Sequence, residues 1–288
     1  VGTVRLSVSW WLRIAHVTEV SYAGPVLTSF NEARMTPLTL PTQTTLEARL
    51  TVGPGSVPVW TYRDYWGTRV TSFELPEPHD HLVIRSSATV ATAAAAAASD
   101  SLSWGAVRYA VARSRLLEFR LPTPLTTMGP EAVETAIGDV SAMAPDEAAA
   151  AIAARVHERV TFLPGATGVR TGAQEAWDKG QGVCQDMAHV TVALLRAAGL
   201  PARYVSGYLH PDPWAEPGRT AIGQSHAWAE YWAGSWSALD PTSLAPVGAR
   251  HVIVARGRDY NDVPPLKGTY RGAPERAMNV RVELTRLA

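Results

Sequence analysis

Over the first ninety residues hydrophobic and polar side chains alternate in short runs, and beyond residue 130 that period gives way to helical spacing. A period of two marks half-buried strands, whereas a period near 3.6 marks amphipathic helices. Alternating runs at 17–22, 46–52, 57–62, 69–75 and 81–90 are separated by Gly53-Pro54-Gly55, Asp64, Trp66-Gly67 and Pro76 to Pro78. Short strands at roughly ten-residue spacing predict an antiparallel sandwich or barrel. Residues 1–14 also read as strand; Arg5 and Arg13 fall within them without the basic-then-apolar order of a signal peptide.

Two breaks follow. The alanine run 93–98, closed by Ser99-Asp100, is too short to stand as an isolated helix and predicts a bland linker. Leu121-Pro122-Thr123-Pro124 is the second break, and it divides the chain into a β-rich domain with linker at 1–125 and a second domain at 126–288. There Pro145-Asp146-Glu147 opens a helix whose Ile152, Val156 and Val160 share a face, with Pro164-Gly165 as its stop. A further helix spans 184–198 and ends at Gly199-Leu200-Pro201, the order of a capped C-terminus. Strands are predicted at 203–209, 226–232, 236–240 and 278–284. Helices first and strands afterwards give an α+β fold class rather than a doubly wound sheet.

Composition narrows the function classes. With 46% hydrophobic and 18% charged residues in 288, the chain can bury a large core. The 26 basic and 26 acidic residues cancel, which speaks against a nucleic-acid binder. No apolar window of about 18 residues is present to span a membrane. The expectation is a soluble, cytoplasmic protein with no nucleic-acid or membrane partner. Its single cysteine, Cys184, excludes an internal disulfide framework and a cysteine-cluster metal site.

Cys184 follows Gly180-Gln181-Gly182-Val183 and starts a helix. Glycines permit a sharp turn that brings amides close to a bound atom, and a helix N-terminus carries unpaired N–H groups and positive partial charge. Both settings favour an anionic sulfur, while Asp186 in the first turn opposes it. A nucleophile of this kind needs a base within hydrogen-bond reach. The bland account is a small buried hydrophobe.

Eight histidines compete for the base. His189 lies five residues along the helix and faces away from the sulfur. His157 reads as a surface or interhelical residue, and His79 and His81 flank Asp80 in a proline-rich turn best read as a solvated loop. His16 and His210 have no carboxylate partner in sequence, and His251 sits in a strand-like run. His226 remains, in Ser225-His226-Ala227-Trp228, followed by Ala233-Gly234-Ser235 and Trp236 to Asp240. A hairpin with a three-residue loop centred on Gly234 puts Asp240 opposite Trp228, on the face that carries His226. A two-residue loop would place them on opposite faces. Cys184, His226 and Asp240 then fit the roles of nucleophile, base and orienter, although His, Trp and Asp at a hairpin also fit plain packing and turn chemistry.

The stretches GVCQDMAHVTVALLRAAGLPARYVSGYL (182–209), SHAWAEYW (225–232), LDPT (239–242) and GRDYNDVPPLKGTYRG (257–272), with NEARMTP (31–37) upstream, resemble the bacterial transglutaminase-like proteins. That resemblance implies a transglutaminase or papain-like core, its nucleophile at a helix N-terminus packed on an antiparallel sheet, preceded by an all-β domain. It implies Cys184, His226 and Asp240 as a catalytic triad of a cysteine-dependent hydrolase, a thiol protease or amidase acting on a peptide or protein through a thioester. No cofactor and no metal enter that chemistry. An amine-accepting transglutaminase is the first alternative, and a non-catalytic binding or assembly module the second.

Supporting positions follow from the same reading. The backbone N–H of Cys184 is one oxyanion donor, with Gln181 and Trp177 as candidates for the other. Tyr204, Ser206 and Tyr208 share a strand face suited to lining a groove, and Trp228 suits a cleft wall. On resemblance alone, Arg258, Asp259 and Tyr260 contribute too, and the β-domain orients substrate or partner. Two departures from the family pattern stand out: the hairpin after His226 is about two residues short, an even change that keeps its face, and Phe162 replaces an expected tyrosine.

Overall fold

The computed structural model describes residues 9–93, 101–138 and 140–288. Residues 94–98 of the alanine run and the strand-like start at 1–8 lie outside the described residues.

The first half is built on long strands: β1 (Ser9–Ala33), β2 (Gln43–Gly53), β3 (Val59–Arg63), β4 (Arg69–Leu75) and β5 (His79–Ala93). Alternation continues through β1, whose Trp10, Leu12, Ile14, Val20 and Tyr22 point inward. Helices α1 (Trp104–Ala112), α2 (Pro130–Ile137) and α3 (Pro145–Arg159) follow, then β6 (Thr161–Phe162), α4 (Ala173–Lys179), β7 (Gln181–Gly182) and α5 (Cys184–Ala198). Strands β8 (Ala202–Leu209), β9 (Thr220–Trp232), β10 (Trp236–Leu239), β11 (His251–Gly257), β12 (Leu266–Gly272) and β13 (Glu275–Arg286) complete the chain. Among the described residues no helix is long and apolar enough to cross a membrane.

Helix ends follow local chemistry. α3 stops at Arg159, short of Pro164-Gly165, because Thr161 and Leu163 donate their N–H groups to the carbonyls of Gly180 and Gly182, forming the parallel β6–β7 pair. α5 ends where expected. Gly199, at φ 112°, donates to the Arg196 carbonyl, and Leu200 to that of Leu195.

Among the described residues eleven strands form one sheet, with the order β11-β8-β9-β13-β1-β4-β3 along its main path. β13 pairs with β1 along one edge and with β9 along the other, Val282 meeting His16 and Gly223. β12 pairs with the far end of β1. The C-terminal strands therefore complete the N-terminal sheet, so residues on both sides of the expected boundary at 125–126 share one sheet. Periodicity marks a strand but not its partner. A core containing Trp10, Leu12, Val90, Tyr208, Val252 and Leu284 joins the two regions, each fully buried aliphatic side chain contributing about 1.5–3 kcal/mol. A separate helical core around Ile152, Val156, Leu194 and Leu195 anchors α5.

Candidate active site

Cys184 is the first residue of α5 and is partly exposed. Its turn is held by Asp186, whose Oδ2 accepts from the Val183 N–H at 2.8 Å and from the Thr167 hydroxyl at 2.5 Å. Gly182 is required here: a Cβ on it would lie 2.8 Å from the Asp186 Cβ and 2.9 Å from Oδ2. Burial raises the Asp186 pKa against those two hydrogen bonds. Asp186 thus acts as a cap, while the first-turn N–H groups of Cys184 and Gln185 have no acceptor within the helix by position.

The hairpin brings in the other two groups. Trp236 pairs with Trp232 and Leu239 with Ala229, leaving residues 233–235 as the loop. Continuing that register sets Asp240 opposite Trp228, on the His226 face. His226 Nε2 stands 3.0 Å from Asp240 Oδ2. Asp240 is 2% exposed; its Oδ1 accepts the Thr242 N–H at 3.0 Å and its Oδ2 the Ser243 hydroxyl at 2.9 Å. Burial alone would raise the Asp240 pKa, but hydrogen bonds, that to His226 first, hold it well below the carboxylate range. Burial also opposes charge on His226, yet hydrogen bonding to Asp240 and then to Cys184 raises its pKa to about 9. The arrangement is a buried carboxylate, an imidazole and a sulfur in series. It can deliver a thiolate nucleophile and return a proton to a leaving group.

The remaining expected positions divide. Trp228 is fully buried and stacks on the His226 ring at 5.9 Å between centroids. Gln181 is exposed on the turn before the sulfur. Trp177 packs in the helical core beneath the Arg159 guanidinium, 5.6 Å from its ring. Tyr208 does not line a groove by the sulfur; its hydroxyl meets His16 Nδ1 at 2.8 Å in the core between regions. Tyr204, on the same strand face, does belong to the cluster against which both Cys184 and Tyr260 pack. Strand alternation gives the face but not how far along it the sulfur lies. Phe162 is exposed beside the Gly182 turn.

Of the other histidines, His189 is fully buried, accepts the Tyr260 N–H at 3.1 Å, and is pushed by burial to a pKa of about 3, so it stays neutral. His157 Nδ1 lies 3.0 Å from the Pro241 carbonyl oxygen. Sequence reasoning passed over His251, whose Nε2 stands 3.6 Å from Asp240 Oδ2. It begins β11, and only the order β11-β8-β9 carries it there. Donor atoms of His226, Asp240 and His251 lie within 4.8 Å of one another, close enough to hold a metal ion.

Comparison with known proteins places these features in a wider set. Residues 12–91 match the bacterial transglutaminase-like N-terminal region, and residues 134–241 match the transglutaminase-like superfamily core. An uncharacterized protein of Mycobacterium leprae is 38% identical over 97% of this chain and all of its own. One from Mycobacterium tuberculosis is 33% identical over 94% of this chain and 91% of its own. A protein-glutamine gamma-glutamyltransferase of Pseudomonas aeruginosa is 32% identical over 40% of this chain and 18% of its own. The crystal structure of a proposed cysteine protease from Cytophaga hutchinsonii superposes with a TM-score of 0.76, covering 97% of this chain and 98% of that one at 21% identity.

Proposed function

Because the chain belongs to the transglutaminase-like superfamily, we propose that it is a cysteine-dependent acyl-transfer enzyme, a thiol peptidase or amidase acting on peptides or proteins. One observation carries the reading: His226 Nε2 lies 3.0 Å from a buried, ionised Asp240, and Cys184 is among the groups that raise the pKa of the same ring.

His226 takes the Cys184 thiol proton, and the resulting thiolate attacks the substrate carbonyl, forming the S–C bond and a tetrahedral oxyanion. The Cys184 N–H stabilises that oxyanion at the helix N-terminus. Gln181, exposed on the preceding turn, is suited to supply a second donor; Trp177, held in the core, is not. His226 protonates the departing amine as the C–N bond breaks, leaving a thioester. Water, deprotonated by His226, then releases the acid and restores the sulfur. Asp240 supports the imidazolium without taking its proton.

Replacing water by a primary amine in the last step gives a transglutaminase. The partial match to the Pseudomonas aeruginosa gamma-glutamyltransferase makes this the second reading. Incubation with a glutaminyl peptide and a labelled primary amine separates the two: ammonia with free acid supports hydrolysis, and label in the peptide supports transfer. A Cys184→Ala protein with undiminished activity would end both readings, and a parent protein inactive in both assays would leave the non-catalytic module.

A further inference from the structure

Asp240 sits between two imidazoles, and only one is used above. His251 occupies the first position of β11, across β8 from His226: Leu209 pairs with His251, and Gly207 with His226. Residues 207 and 209 share a strand face, so both rings lie on one side of the sheet. Gly207 has no room for a side chain: a Cβ there would fall 2.0 Å from the Val252 carbonyl oxygen and 2.8 Å from Trp228 Cη2. The indole contacts both rings, stacked on His226 and edge-on to His251 at 5.3 Å. His251 also lies outside both matched family segments.

The tautomer of His251 follows from its surroundings. Nδ1 accepts the Gly248 N–H at 3.2 Å, so the neutral ring carries its proton on Nε2. That nitrogen is buried, has no other partner, and faces Asp240 Oδ2 at 3.6 Å, longer than a full hydrogen bond. Burial, with repulsion from His226, lowers the His251 pKa and keeps the ring a neutral donor.

We propose that His251 is a positioning residue: its Nε2–H steadies the Asp240 carboxylate, which in turn fixes the His226 ring toward Cys184. Only its kinetic consequence rests on the thiol-enzyme reading. The competing account is a divalent metal ion on His226, Asp240 and His251, which would displace both Nε2 protons and take His226 out of the reaction.

The test compares His251→Leu, His251→Gln and His251→Asn in the full chain. Glutamine places an amide N–H near the Nε2 position, whereas asparagine reaches only the Nδ1 position. Leucine and asparagine should lower kcat on the order of 10–10²-fold with KM unchanged, the size of effect that misplacing a catalytic group produces. Both should also shift the NMR signal of the His226 Nε2 proton, and glutamine should restore both readouts. The resonance arm decides the role of His251 even if no carboxamide is turned over. Should leucine prevent folding, the contrast between glutamine and asparagine carries the same decision. Equal kcat and an unmoved resonance in all folded variants would overturn the proposal. So would stoichiometric zinc in the parent protein that is lost on His251→Asn, which would assign the cluster to a metal.

Discussion

His16 on β1 and His226 on β9 are both largely withdrawn from water, and burial has opposite outcomes for them. His16 meets only hydroxyls, Tyr208 at 2.8 Å and Thr18 at 3.1 Å, and burial pushes its pKa down to about 4. His226 suffers the same penalty but meets Asp240 and Cys184, and its pKa rises to about 9. One region buries a neutral ring that ties strands together; the other buries a charged ring able to move a proton. Desolvation sets the default, and a carboxylate partner reverses it. His189, with a backbone N–H as its partner, follows His16.

That contrast can be attacked in order of effect. Cys184→Ala should cost on the order of 10⁵–10⁶-fold in turnover, with the melting temperature unchanged. His226 loses the weaker of its two hydrogen-bonding partners, and its NMR-measured pKa should fall only modestly. Asp240→Asn should lower kcat on the order of 10³–10⁴-fold and bring the His226 pKa below 6.5, converting its surroundings into those of His16. A His226 that still titrates near 9 in that variant would break the comparison.

The same pair sets opposite limbs of stability against pH. The His226 pKa is raised on folding, so its contribution is complete below 6.5 and lost as pH rises through about 9. The His16 pKa is depressed, so its contribution is complete above 6.5 and lost as pH falls toward about 4. Each limb is on the order of 3 kcal/mol. Urea denaturation across pH should show His16→Gln flattening the acid limb and leaving the alkaline one. Smallest of all, Tyr208→Phe should cost about 1 kcal/mol of stability by removing the His16 contact and leave kcat untouched, since Tyr208 lies in the core between regions.

Local chemistry made much of this legible. Gly234 and its neighbours carried the hairpin register, and with it the shared face of His226 and Asp240. Gly199-Leu200-Pro201 marked the end of α5. Three things had no local signal. β1 runs unbroken over 25 residues, where alternation had suggested separate pieces. Its pairing with β12 and β13 joins segments from opposite ends of the sequence, and alternation does not name partners. α1, α2 and α4 are short helices that packing, rather than propensity, holds in place. His251 was set aside for the second of these reasons, because β11 reaches Asp240 only through β8.

The double pairing of β13 has a consequence for biosynthesis. Its residues, 275–286, are made after the other described strands, yet they fill the gap between β1 and β9. Until then a nascent chain displays the open side of its longest strand, the kind of surface on which chains stick to one another. The sheet that joins the two regions is therefore complete only once β13 has been made.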